Sequence, residues 1–539
     1  VRTAATEIDR EKLRAALFGH IAGLVLVPTI DCLWQWGVLH YFTNGQGWVS
    51  LDEIVRSTRG KRGYLRVAMR LLTTCGWMHE KHCATRGPLY AITAQGKVAL
   101  RIAPALYSES NCMLQCGIHL DDLLSSDVDD ASFAAVEKYV QGARRNWFAS
   151  PSARATEAEV FDQVRGHLDG LLAGPAVVLL ARRGIFTELA HGPVEIERLG
   201  GLAHRWETVL SFLELLGWTR MHAGSVEFTP AGHHVAQIAA SYGIPVSYLP
   251  LYQQLDRLLF ASPAEEPLVD RSMNAWGSGG LHKTYFFEQM DEIVIDLFNR
   301  PLDRQPAGIC DMGCGDGTLL KHLHQVIATR TSRGKALDTH PLYFIGADSS
   351  EGSRRACAHN LEALGVPKFH VIHGDIANPD QMAIEMIALG LDVRDFLHVR
   401  SFLDHNRSYR APMGFAPGMR TARSAGAFAQ RGAEISADFL EENLVRHLRS
   451  WVPYCERFGL LLLEQHTLPP EITAANLDKT PTVAYDGFHG YSDQYLVELA
   501  VFQECLREAG FQPEPRYQSK FPKSELATVS INLLVGAAA

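Results

Sequence analysis

Glycines, acids and histidines at regular positions in the second half of this chain are the residues best suited to chemistry. The glycines stand in Ile309-Cys310-Asp311-Met312-Gly313-Cys314-Gly315-Asp316-Gly317, which runs into the apolar pattern of Thr318-Leu319-Leu320-Lys321-His322-Leu323. This reads as a short strand, a tight turn and a helix start, whose exposed backbone N–H groups can hold a polar ligand. Glycine there lets the main chain approach the ligand with no Cβ in the way. The order D-x-G-x-G-x-G is not the dinucleotide fingerprint G-x-G-x-x-G. A second apolar run, Tyr343-Phe344-Ile345-Gly346-Ala347, ends in Asp348, where a ribose-binding carboxylate belongs in a doubly wound fold. A third, Phe369-His370-Val371-Ile372-His373, leads into Gly374-Asp375-Ile376, and a fourth, Asp395-Phe396-Leu397-His398-Val399, ends at Arg400 and Ser401. Such acids can merely cap turns. Three of them in register behind a glycine turn favour a ribose-bearing ligand.

The glycine stretch resembles motif I of class I S-adenosylmethionine (SAM)-dependent methyltransferases. That resemblance implies Asp311, Gly313 and Gly315 on the methionine side, Asp348 on the ribose hydroxyls, Asp375 and Ile376 near the adenine, and Arg400 and Ser401 closing the cofactor site. SAM carries the reactive methyl, so the protein must orient a nucleophile and stabilise its anion. Candidates follow the strands: Asp404-His405 after the fourth, Gln465-His466 after the fifth, and the later stretch Tyr485-Asp486-Gly487-Phe488-His489-Gly490-Tyr491-Ser492-Asp493-Gln494. One histidine there serves as a general base. Several, with amide or carboxylate oxygens, suit Fe, Mn or Zn with positions open for a bidentate substrate. Such a metal stabilises an enolate and permits methylation at carbon. Both readings stand at this stage, beside the bland one in which each histidine is hydrogen-bonded in a loop.

The elements that must position these groups are spread over 539 residues, 47% hydrophobic and 21% charged, enough for two to four domains. A net charge of −9 argues against a nucleic-acid binder, and no uninterrupted apolar run reads as a membrane span, so a soluble, cytoplasmic protein is expected. Ten cysteines without CxxC pairing suit a reducing compartment better than disulfides or structural zinc. Val1 lacks an initiator Met and a signal segment, and reads as the edge of a longer polypeptide. Residues 12–105 read as helices with a small β element, in winged-helix order. Pro28 is placed at the start of a helix, Ser50 or Asp52 at a cap, and 90–96 as the return strand of a wing. The pattern recurs: Gly37-Val38 as Gly184-Ile185, Gly76-Trp77 as Gly217-Trp218, Thr93-Ala94-Gln95-Gly96 as Thr229-Pro230-Ala231-Gly232. Two winged-helix-like units, about 12–105 and 160–240, are expected inside a mainly helical lid over 1–283, ahead of an α/β methyltransferase core over 284–539. The alternative is chance likeness of apolar helix faces. The acidic run 121–130 and basic 143–147 read as solvated faces. Aromatics at 284–290 read as a roof on the site or as core. The Gly/Ala/Arg-rich stretch 411–432 reads as a mobile loop, and a helix is placed over 494–508.

The architecture, with Asp311 to Gly317, Ser401-Phe402-Leu403-Asp404-His405-Asn406-Arg407 and His489-Gly490-Tyr491-Ser492-Asp493-Gln494, is similar to the C-methyltransferases of modular polyketide synthase loading modules. It most resembles the metal-dependent kind in apratoxin-type and gephyronic-acid-type assembly lines. The resemblance implies SAM-dependent methylation of a malonyl-type group on an acyl carrier protein, beside neighbouring polyketide synthase domains, with a mononuclear iron (or Mn). It implies His405, His489 and Gln494 as catalytic and metal-ligating residues, with His466 able to replace one ligand. The alternative is a small-molecule natural-product O-methyltransferase, whose dimerisation domain the winged units also resemble, with His405 or His466 as a base. A SAM-binding regulator on DNA is a third class, disfavoured by the charge.

Overall fold

The computed structural model describes residues 9–43, 47–83, 85–126, 130–145, 155–261 and 268–536; parts of the expected charged faces, 127–129 and 146–147, lie outside them. The chain forms two units. One comprises Val1–Leu281, Arg431–Ala433 and Pro470–Ser492, the other His282–Gln430, Glu434–Pro469 and Asp493–Ala539. The insertion Pro470–Ser492 lies within the span read as core, yet it packs into the first unit.

The second unit is built on an eight-stranded sheet: β1 (Gly308–Met312), β2 (Tyr343–Asp348), β3 (Phe369–His373), β4 (Phe396–Ser401), β5 (Leu460–Gln465), β6 (Phe511–Pro513), β7 (Ser519–Phe521) and β8 (Val529–Gly536). The order is β6-β8-β5-β4-β1-β2-β3, with β7 paired to β8. β1 runs parallel to β2 and β4, β4 parallel to β5, and β8 antiparallel to β5. β1 is buried along its whole length and β5 nearly so, which is why both read as unbroken apolar runs. Helices α1 (Thr318–Arg330), α2 (Glu351–Ala363), α3 (Ala437–Cys455) and α4 (Leu499–Ala509) flank it. Leu440, Leu444, Leu448 and Trp451 of α3 and Phe502 and Leu506 of α4 join the sheet in one core. The strand order reverses between β1 and β4, so a crevice opens at their carboxyl ends, where ligands bind in such sheets.

The first unit contains two copies of one arrangement. In the first, helix Arg10–Gln35 leads through Leu51–Thr58 and Arg62–Thr74 to strands Met78–Cys83 and Gly87–Ile92; in the second, Ala155–Arg182 leads through Ala203–Leu215 to Thr219–His222 and Ser225–Phe228. Each copy closes a three-stranded sheet in the same order, with its first short strand beside its last. The two long helices meet at small residues: a Cβ on Gly23 would lie 2.1 Å from the His167 carbonyl oxygen, and one on Gly170 2.2 Å from that of His20. The contact is reciprocal.

By length and composition these two helices are apolar enough to cross a membrane, which the sequence reading did not expect, but 78% and 72% of the relevant windows are buried inside the unit. Pro28 does not start a helix; it lies inside Arg10–Gln35 among fully buried neighbours. Burial there outweighs the roughly 3 kcal/mol that an interior proline costs. Ser50 does cap, in a capping box with Glu53. Thr93 to Gly96 is the capped start of a helix and not strand: the Thr93 hydroxyl accepts from the Gly96 N–H. The inserted helix Thr482–Tyr491 is tied in by Arg70, whose Nε donates to Asp486 at 2.8 Å, and by Tyr491, hydrogen-bonded to Thr29 at 3.2 Å.

Candidate functional site

The glycine turn closes β1. Gly313, Gly315 and Gly317 all have positive φ (+76°, +54° and +81°), which L side chains rarely adopt. A Cβ on Gly313 would press on Leu403 at 2.9 Å and one on Gly317 on the Cys357 sulfur at 2.9 Å, whereas Gly315 has nothing within 4 Å. The middle of the turn therefore faces open space, as a ligand cradle requires. The Gly315 N–H donates to Asp348 Oδ2 at 3.2 Å, and the Ser350 N–H donates to Oδ1 at 2.8 Å. The acid at the end of β2 thus reaches the turn after β1. Asp311 is 2% exposed, and burial, then the nearby Asp348, holds its carboxyl well above the ordinary range. A cationic ligand offsets that cost. Asp375 caps its own turn, accepting from the Ala377 N–H at 2.9 Å, while Ile376 is buried and its carbonyl accepts from the Trp451 indole.

Arg400 is placed differently from expectation. Its fully buried guanidinium donates to Asp404 at 2.7 Å and lies over the Trp451 ring at 4.6 Å, while His447 also meets Asp404 at 2.9 Å. Arg400 therefore anchors the Asp404 turn to α3, and it does not reach out as a cofactor ligand. The Ser401 hydroxyl is buried without a partner. Next to it Phe402 adopts φ +54°, a strained conformation for an aromatic residue, and its ring is stacked on His282 at 4.3 Å with Phe286 at 5.6 Å. The aromatic stretch before β1 thus covers the residue that follows β4. Burial lowers the His282 pKa to about 3, so its imidazole is neutral.

His405 sits in a buried 3-10 turn, Asp404–Asn406. Its Nδ1–H donates to Glu464 Oε1 at 2.5 Å, while Glu464 Oε2 accepts the backbone N–H groups of Asp404 at 2.8 Å and His405 at 3.3 Å. Glu464, the last residue but one of β5, thereby fixes both the ring and its turn. Its role was missed in the sequence, where the signal was an acid closing a strand of leucines. Gln494 is buried, and its neighbour Tyr495 donates its N–H to the His405 carbonyl at 2.8 Å, which brings the two expected residues into one neighbourhood. His466 is a correction. It is fully buried, with Nε2 hydrogen-bonded to Ser530 at 2.8 Å and its ring against Phe502, and burial lowers its pKa to about 3. It serves the β5–β8 junction and not a ligand set. His489 belongs to the first unit, on the last turn of Thr482–Tyr491; its Nδ1–H donates to the Tyr485 carbonyl at 2.8 Å.

Among the described residues no three His, Cys, Asp or Glu side chains cluster as a metal set. The set read from the sequence is two imidazoles and an amide, and its chemistry fits a metal. Nδ1 of His405 is engaged by a carboxylate and Nδ1 of His489 by a backbone carbonyl, the pairings that orient an imidazole to coordinate through Nε2. The stretch 411–432, expected to be a mobile loop, is instead held to the core. Glu441 Oε1 accepts the N–H groups of Arg423 and Ser424, and Glu498 Oε1 that of Ala425.

A parallel sheet reversed at β1 and β4, with an antiparallel penultimate strand, a glycine turn after β1 and an acid after β2, is the class I SAM-dependent methyltransferase fold. Comparison with known families agrees. Residues 266–532 match the model described as AprA MT2-like domain, residues 13–80 the AprA N-terminal domain, and residues 169–262 the AprA winged helix domain. The chain is a SAM-dependent methyltransferase whose sequence matches three AprA-family domain models.

Several solved structures are similar at low identity. The mitomycin 7-O-methyltransferase MmcR is 12% identical, with 71% of this chain and 100% of that chain covered and a TM-score of 0.41. Human N-acetylserotonin methyltransferase in complex with SAM is 13% identical (72% and 100% covered, TM-score 0.39), as is an O-methyltransferase family protein from Burkholderia thailandensis (72% and 100%, TM-score 0.40). No curated protein matches the chain.

Proposed function

We propose that this enzyme transfers the methyl group of SAM to carbon in a malonyl-type thioester carried by an acyl carrier protein, in polyketide starter-unit biosynthesis alongside neighbouring synthase domains. The observation that carries the reading is the AprA-type domain series, together with a site in which a buried carboxylate fixes an imidazole. A malonyl carbon is a poor nucleophile until its enolate is stabilised. The Gly313 and Gly315 turn with Asp311 and Asp348 holds the cofactor. Phe402 and His282 cover the strand ends, and Glu464 orients the His405 ring toward the acceptor. We further propose that His405, His489 and Gln494 hold a mononuclear iron or manganese. Bound there, a divalent metal supplies Lewis-acid stabilisation of the enolate oxygens.

The test is incubation of the protein with SAM and malonyl-carrier protein, followed by mass spectrometry of the intact carrier and of the released acid. A methyl on the malonyl carbon is expected. Methylation at oxygen, or of free phenols in place of the carrier-bound acid, would replace this reading with the O-methyltransferase one.

A further inference from the structure

Several contacts recur in the two copies of the first unit, and the copies differ beside a cavity that both of them line. The His20 ring meets the Tyr242 hydroxyl at 2.8 Å, and the His167 ring meets that of Tyr107 at 2.7 Å. The Thr93 hydroxyl donates to the carbonyls of Gly76 and Trp77, as that of Thr229 does to Gly217 and Trp218. These pairs fix which residue corresponds to which.

Beside the tryptophan of the first copy, a carboxamide from the long helix of the second fills the space. The Trp77 indole N–H donates to Gln163 Oε1 at 3.0 Å, Gln163 Nε2 donates to the Cys75 carbonyl at 3.1 Å, and Gln95 adds a bond to Gln163 at 3.2 Å. One turn before His20, where Gln163 stands before His167, the helix of the first copy has Ala16; in place of Gln95 the second copy has Ala231. Among the described residues no side chain bonds the Trp218 indole N–H or the Leu216 carbonyl, the counterparts of Trp77 and Cys75. Ala16, Ala231, Leu216 and Trp218 all line a cavity of about 1390 Å³, together with Phe18 and Phe212. That is room for an extended small molecule.

We propose that this cavity binds a neutral, amide-bearing molecule whose amide stands where the Gln163 carboxamide stands in the other copy. Its carbonyl accepts from the Trp218 indole N–H, its N–H donates to the Leu216 carbonyl, and the carbons on either side lie against Phe18 and Phe212. A donor and an acceptor one bond apart distinguish an amide from an alcohol or an ester. The lining carries Lys12 and Arg165 against Asp9, Glu159, Asp162, Asp169 and Asp478, so it disfavours an anion.

The experiment reads the indole N–H resonances of 15N-tryptophan-labelled protein during titration with N-methylacetamide and with pantetheine, a neutral linear diamide. A saturable shift of the Trp218 resonance, identified by its loss in W218F, is expected. Ala16→Gln, which restores the missing carboxamide, should weaken that response tenfold or more while SAM affinity is unchanged. Should that variant not fold, Ala231→Gln closes the same space from the wing. Gln163→Ala should make the Trp77 resonance responsive in turn. No saturable shift with either probe, or a response that persists in both filled variants, would overturn the proposal. The readout needs neither SAM nor an acceptor, so it is independent of the reaction proposed above.

Discussion

Glu464 holds the His405 ring at 2.5 Å through one oxygen and the turn that carries it through the other. Charge and geometry are therefore supplied by one side chain. Glu464→Gln keeps the size but removes the charge. A carboxylate that orients a ligating or basic imidazole typically contributes 10–100-fold in affinity or activity. We expect kcat to fall by about that factor with SAM affinity unchanged. Equal losses in both, measured by calorimetry beside turnover, would mean that Glu464 merely holds the fold.

Asp311 gives a pH dependence whose sign follows from its burial. Its carboxyl is held well above the usual 3.8 in the free protein, so folding is least opposed below the unfolded value, and stability is lost as pH rises toward the folded value. SAM carries positive charge and favours the ionised form. Its affinity should therefore increase as pH rises through the raised pKa and then level. Asp311→Asn should flatten that profile, weaken SAM binding at neutral pH and raise the melting temperature of the free protein. A lower melting temperature in the variant would refute the assignment.

The buried pair Arg70–Asp486, at 2.8 Å with side chains 3% and 4% exposed, ties the inserted segment to the first unit. Breaking such a pair from one side leaves an uncompensated charge and costs about 3–5 kcal/mol, whereas replacing both partners with apolar residues is often nearly neutral. Arg70→Met alone should lower the denaturation midpoint strongly, and combining it with Asp486→Leu should recover most of the loss. A single variant as stable as the parent would show that the pair is not held as described.

The strand ends were legible because β1, β2 and β4 are buried on both faces, so each is an apolar run that stops where the chain turns. The duplication was legible from Gly-Trp and Thr-x-x-Gly, since those residues make the same caps in both copies. What escaped depends on partners far away in sequence. Pro28 remains helical because its neighbours are buried by the second copy. The 411–432 stretch has no periodicity because its order comes from Glu441 and Glu498. Arg400 and His466 sit at strand ends like functional residues, yet their side chains turn to Asp404 and Ser530, which no local pattern signals.

The metal is where the proposed reaction is most exposed to test. His405 and His489 each commit Nδ1 to an oxygen acceptor, and in the proposed set Gln494 would add an uncharged amide oxygen. A divalent ion held by two imidazoles and an amide would keep positions for two substrate oxygens. Protein treated with chelator should therefore bind SAM as before and lose methyl transfer to malonyl-carrier protein, with recovery on adding ferrous or manganous ion. His405→Ala and His489→Ala should each lower bound metal and turnover together, whereas His466→Asn, at the β5–β8 junction, should affect stability and leave metal content intact. Undiminished methylation by metal-free protein would refute the metal and leave the His405–Glu464 pair as a general base.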